Sequence, residues 1–216
     1  MDDVFLIHSP DDIVFYLQSS ATPDILERDE RVVRIVELST LAHSAKERGD
    51  LETALRHESE AYKLCLQLSD APERLNIPSL VAAKLYNIGQ LHYWMEEFEE
   101  ARLCFEQARQ LDADAGNLVG EAASVRSLGF LTHDAGDLLG ALRIHEEAMQ
   151  LDCKADFEYG IAVDQANIGA IYCELDDFEL ALPYLRKALA SFERWGRVQE
   201  SGKVSQLIRD AELRLT

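Results

Sequence analysis

Two short stretches, HESEA (57–61) and HEEAM (145–149), begin as the zinc-binding helix of a metalloprotease does, with a His followed at once by a Glu. That chemistry needs a second His one helical turn later, so that two imidazoles share a face and hold the ion while the Glu works on its water. Ala61 and Met149 stand there instead. No Glu lies three residues before any His, so the di-iron pattern of helical bundles is absent as well. The run GRVQESGKVS (196–205) approaches a phosphate-binding loop, but five residues separate Gly196 from Gly202 where four are required. Val204 also takes the place of the metal-binding hydroxyl. A turn between two helices accounts for it better. Cys65, Cys104, Cys153 and Cys173 include no CxxC pair, so buried reduced thiols are expected rather than a zinc knuckle or a redox dithiol. No Ser or Cys sits in a motif that would activate it. These residues point to no enzyme, no metal and no cofactor, with the histidines expected on partly exposed helix faces.

The bulk composition narrows the class. At 216 residues the chain can bury a core as one large domain or two small ones, and 47% hydrophobic residues mark it as folded. Five Pro and eleven Gly are too few for the turns of a sandwich or barrel, and abundant Ala, Leu and Glu favour helix. A formal charge of −19 repels a phosphate backbone and an anionic lipid surface, so neither nucleic acid nor membrane is expected as a partner. The opening MDDVFLIHSP lacks the apolar run of a secretory signal, and no stretch reaches transmembrane length. A cytoplasmic location is expected.

The organisation appears when NIGQLHYWMEEFEEA (87–101) is set against NIGAIYCELDDFELA (167–181), which share six of fifteen positions. SLGFLTHDAGDLLGA (127–141) lies midway, and TLAHSAKERGDLETA (40–54) upstream. The units end at Ala54, Ala101, Ala141 and Ala181, and each has a second Ala seven residues on, at Ala61, Ala108, Ala148 and Ala188. A register of 47, 40 and 40 residues means an array of supersecondary units. Each reads as two helices. Leu38, Leu41 and Ala45 recur as Leu85, Ile88 and His92, then as Val125, Leu128 and Thr132, an apolar stripe at helical spacing. A break at Gly49-Asp50, Gly136-Asp137 or Asp176-Asp177 follows, where Asp can cap the next helix. Gly89, Gly129 and Gly169 recur mid-helix, where Gly costs about 0.5–1 kcal/mol against Ala. Three such glycines in register imply helices too close for a side chain.

This pattern resembles the tetratricopeptide repeat, best met by Leu85, Gly89, Ala101, Phe105 and Ala108. The 40-residue spacing is similar to the subgroup in bacterial peptide-sensing regulators and in adaptors such as kinesin light chains. The resemblance covers about residues 31–196 and departs from the pattern at Ala42, and at Glu58, His145 and Leu185 in the aromatic position. It implies an all-α, right-handed superhelical α-solenoid. The expected boundaries are an N-terminal helical cap over 1–30, repeats over 31–70, 78–117, 118–157 and 158–196, and a C-terminal capping helix over 197–216. The Pro-containing run 70–79 carries the seven extra residues after the first repeat.

The resemblance further implies a ligand groove lined by the first helix of each pair. Its expected lining is His43 with Ser39 and Thr40 from the first repeat, and Tyr86, Asn87, Gln90 and Tyr93 from the second. Arg126, Phe130 and His133 with Ser127 follow from the third, and Asn167 with Ala166 and Ala170 from the fourth. An amide offers donor and acceptor together, which suits a peptide backbone, and Arg126 would anchor a carboxylate. The two-carboxylate clamp of chaperone-tail binders is not met, since His43, Ala123 and Ser127 occupy its other positions. The expected function is a non-enzymatic scaffold that binds a protein or peptide segment. The alternatives are a self-assembling structural protein, which would be a homo-oligomer, and a trans-acting sensor subunit for a signalling peptide.

Overall fold

Small residues at fixed intervals decide how these helices pack. The computed structural model describes residues 30–68 and 77–215, so the N-terminal cap and most of the Pro-containing run lie outside the described residues. Nine helices are present among the described residues: α1 (Glu30–Glu47), α2 (Leu51–Leu66), α3 (Ile77–Trp94), α4 (Phe98–Ala115), α5 (Leu118–Asp134), α6 (Leu138–Lys154), α7 (Glu158–Glu174), α8 (Phe178–Arg194) and α9 (Val198–Arg214). They form two compact units that divide between Ser124 and Val125, within α5. In the first unit α1 packs on α2, α2 on α3, and α3 on α4. In the second α6 packs on α7, α7 on α8, and α9 on both of them. The chain is an all-α solenoid of helical hairpins.

Within a hairpin, the close approach falls at the glycines. A Cβ on Gly89 would stand 2.7 Å from the Phe105 ring, one on Gly129 2.9 Å from His145 Nε2, and one on Gly169 2.6 Å from Leu185 Cγ. All eight paired alanines, from Ala54 to Ala188, are fully buried. Helix starts use the expected chemistry in part. Asp50 accepts the Thr53 backbone N–H at 3.1 Å and Asp137 accepts that of Gly140 at 2.8 Å, whereas Asp177 makes no such bond. The turn before each second helix needs one left-handed residue. Gly49 and Gly136 supply it freely, while Glu96 (φ 62°) and Asp176 (φ 60°) adopt it with side chains, at a cost of about 1–2 kcal/mol each.

A second small-residue device joins consecutive hairpins. Asp112, near the end of α4, is buried and accepts a hydrogen bond from Asn117 Nδ2 at 2.7 Å. Its carboxylate lies over Gly120, where a Cβ would collide with it. Asp152 lies over Gly160 in the same way, 40 residues later. Burial raises the Asp112 carboxyl to about 6, partly opposed by the Asn117 hydrogen bond.

α9 has the register of a first helix. Val204, Ile208 and Ala211 enter the core of α7 and α8. At the position of Gly89, Gly129 and Gly169 it carries the exposed Arg209.

Three sequence expectations need correcting. Leu41, expected in the apolar stripe, is 46% exposed. His145 is not on a partly exposed face but fully buried. Cys153 is exposed rather than buried, while Cys65 is buried and Cys104 and Cys173 are half-buried; all four are free thiols.

Gly169→Ala should lower stability by about 1–3 kcal/mol through overpacking against Leu185. Gly202→Ala, helical with nothing within 4 Å of its Cβ, should raise it by about 0.5–1 kcal/mol. Urea unfolding of the two variants measures both, and equal effects would contradict the packing account. Asp112 supplies a pH test. Its folded pKa lies above the unfolded value, so the native state holds the extra proton and loses stability as pH rises from about 4 through about 6. Asp112→Asn should therefore gain stability relative to wild type across that window, and parallel pH curves would contradict it.

Candidate functional site

One position recurs at every junction between hairpins, and its occupants differ. On the second helices it holds Glu58, Phe105, His145 and Leu185; on the following first helices it faces the register of Lys84, Ser124, Asp164 and Val204. At the α2–α3 junction, Lys84 Nζ donates to Glu58 Oε2 at 3.2 Å and to Ser39 Oγ at 2.6 Å, with Lys84 fully buried and Glu58 nearly so. At the α6–α7 junction the polarity is inverted. Asp164 is the anion, accepting from Arg126 Nε at 3.0 Å and Nη2 at 2.9 Å, with His145 Nδ1 3.0 Å from the same carboxylate. Arg126 Nη2 also donates to Asp152. Ser39 and Arg126 share a register, as do Glu58 and His145. Leu185 and Val204 instead share an apolar core. The residues that depart from the aromatic pattern are thus matched across their junctions.

These nodes settle where the expected lining residues stand. In the first unit His43 is exposed and lies 3.3 Å from Glu47. Tyr86 is buried against the Phe105 ring, centroids 5.6 Å apart, and its hydroxyl accepts from Gln90 Nε2 at 3.1 Å. Asn87, Gln90 and Tyr93 are half-buried, and Tyr93 meets Phe98 edge-on. Asn87 Nδ2 donates to Glu58 Oε1 at 3.1 Å, which ties it to the first node. Tyr86, Asn87, Gln90 and Tyr93 therefore share α3, with His43 on α1.

In the second unit the expected residues are buried. Arg126, expected to anchor a partner's carboxylate, is 4% exposed and is held by the chain's own Asp152 and Asp164. Removing a guanidinium from water is tolerable only with such partners, so its charge is already committed. Phe130 is buried against the His145 ring, centroids 5.2 Å apart. His133 is buried between carboxylates, Asp134 at 3.5 Å and Glu174 at 2.9 Å, and these raise it to about 9, so it is cationic at neutral pH. Asn167, expected beside the groove, is fully buried, and Ala166 and Ala170 nearly so.

Sequence reading missed Glu58, Lys84, Asp152 and Asp164. Their trace was present, since Lys84 and Asp164 are charges inside otherwise apolar first helices, 80 residues apart in one register. Burial raises the Cys65 and Cys173 thiols to about 11, away from the range of an activated nucleophile. Among the described residues no helix is long and apolar enough to cross a membrane.

Comparison with known proteins agrees with this architecture. Residues 82–115 and 165–194 each match a tetratricopeptide repeat model. No curated protein sequence matches the chain. Among solved structures, BtubC from P. vanneervenii is similar at 18% identity and a TM-score of 0.66, covering 94% of this chain and 85% of BtubC. The Rap conjugation gene regulator of plasmid pLS20, in complex with the Phr* peptide, is similar at 15% identity and a TM-score of 0.65. That likeness covers 96% of this chain but 63% of the regulator. The nearly identical TPR-like repeats of a kinesin light chain from Podosopora anserina give 14% identity and a TM-score of 0.57, covering 85% of this chain and 97% of that one. Residues 82–115 and 165–194 are thus tetratricopeptide repeats, and the chain shares the fold of these solved structures.

Proposed function

We propose that this chain is a non-enzymatic binding protein that captures a peptide or an extended protein segment on the first unit, across α1 and α3. The observation that carries the reading is Asn87. It is a half-buried amide on a first helix, held by a buried carboxylate and flanked one turn on by Gln90. An amide fixed in place can bond to a peptide backbone without losing further side-chain freedom. Tyr93 adds flat apolar area at low entropic cost, and His43 a polar edge. The solved likeness of a regulator bound to the Phr* peptide supports a peptide as the kind of partner. Arg126, Phe130, His133 and Asn167 serve the second unit's own packing in this reading, and they are not assigned to the partner. A reducing, cytoplasmic setting belongs to it too, since all four thiols are unpaired. The charge of −19 sets the partner apart from nucleic acid and from anionic membrane.

The probe is a twelve-residue peptide selected on the immobilised full chain from a random display library. Asn87→Ala with Gln90→Ala should weaken its binding at least tenfold, with helical circular dichroism and melting temperature nearly unchanged. Arg186→Ala, on the exposed face of α8, should bind as wild type does. Unimpaired binding by the double variant rejects this face as the site.

A further inference from the structure

Asn87 is constrained in a way that its sequence position does not reveal. Its side chain meets Glu58, whose second oxygen is ion-paired with the fully buried Lys84, itself bonded to Ser39. A carboxylate paired with an ammonium has no proton to give, so it can only accept. The amide nitrogen of Asn87 must therefore face Glu58, and the carbonyl oxygen Oδ1 must face away from it. Neither rotation of the amide plane by half a turn nor exchange of its O and N satisfies the carboxylate otherwise. A surface asparagine samples both orientations and can serve a donor or an acceptor. This one cannot.

We propose that Glu58 is a positioning residue which locks Asn87 with its carbonyl outward, so that the site selects a partner group that donates a hydrogen bond, foremost a peptide N–H. This rests on the reading of α1 and α3 as the peptide site and adds the polarity of that site. The consequence is directional. A backbone N–H at one fixed place in the partner is required, and a segment whose residue there is Pro or N-methylated is refused because it has no proton to offer. The lock is specific to this junction. At the α6–α7 junction the equivalent of Glu58 is His145, which is engaged with Asp164, and the equivalent asparagine is fully buried. Asn87 and Asn167 are alike in sequence and differ in what they can offer.

Two measurements on the full chain test this. In the free protein, side-chain amide spectra of 15N-labelled asparagine should show the Asn87 Nδ2 protons shifted and protected from exchange at least tenfold relative to an exposed amide. Glu58→Leu, which offers no acceptor, should abolish both features. Because Glu58→Leu alone leaves Lys84 without its anion, the paired replacement Glu58→Leu with Lys84→Met serves as a second variant that keeps the junction filled. It should also free the amide. Unchanged Asn87 resonances in either variant overturn the positioning role. In the bound state, an N-methyl scan of the selected twelve-residue peptide should find one position that costs at least tenfold in Kd on wild type and less than threefold on Asn87→Ala. A scan without any such position overturns the outward carbonyl. A library selection that yields no peptide at all would reject the peptide-site reading, and the free-protein spectra would still decide whether Glu58 holds Asn87.

Discussion

A single meeting of side chains between successive hairpins governs how this array holds together. At the α2–α3 junction an anion on the second helix faces a cation on the next first helix. At the α6–α7 junction the first helix carries the anion, and the cation comes from α5. At the α8–α9 junction both sides are aliphatic. Each solution works only as a set. A buried charge without its partner costs about 3–5 kcal/mol, whereas an apolar pair at the same place is often as stable as the ion pair it replaces. The benefit of mixing the two is specificity: Glu58 placed over Asp164 would repel, and Leu185 over Lys84 would strand an ammonium. The junction chemistry thus records which hairpin stacks on which.

The same constraint reaches the surface. Glu58 has two oxygens, and the fold uses one for Lys84 and the other for Asn87. In the proposed reading, stacking and recognition share this one carboxylate. The second unit uses its equivalent groups differently. Arg126, Asp152, Asp164 and His145 close on one another, so a residue that looks like a ligand anchor is an internal strut. Repeats with nearly the same backbone can in this way divide the work, one unit presenting polar groups and the other burying them.

Much of the architecture was legible from spacing alone. Gly89, Gly129 and Gly169 and the eight paired alanines announced the close contacts, because a side chain missing three times in register leaves room only for another helix to come near. Helix ends were legible where Gly or a capping Asp stood, less so at Glu96, which takes the left-handed turn without being Gly, and at Asp177, whose side chain makes no cap bond. The candidate site was legible in part. Family-like positions pointed to the faces of the first helices, but could not distinguish half-buried Asn87 from fully buried Asn167 or reveal that Arg126 was already occupied. That information lies in pairs such as Glu58 with Lys84, 26 residues apart, and Arg126 with Asp164, 38 apart. Periodicity along one helix carries no trace of a partner on another.

The most direct test is to transplant one junction into the other. Lys84→Asp alone sets a second carboxylate against Glu58 and should cost several kcal/mol in urea unfolding. Adding Glu58→His and Ser39→Arg rebuilds three of the four α6–α7 groups at the α2–α3 junction, Cys65 standing where Asp152 does, and should restore part of that loss. A triple variant no more stable than Lys84→Asp alone would contradict the claim that these junctions are one node written in two polarities.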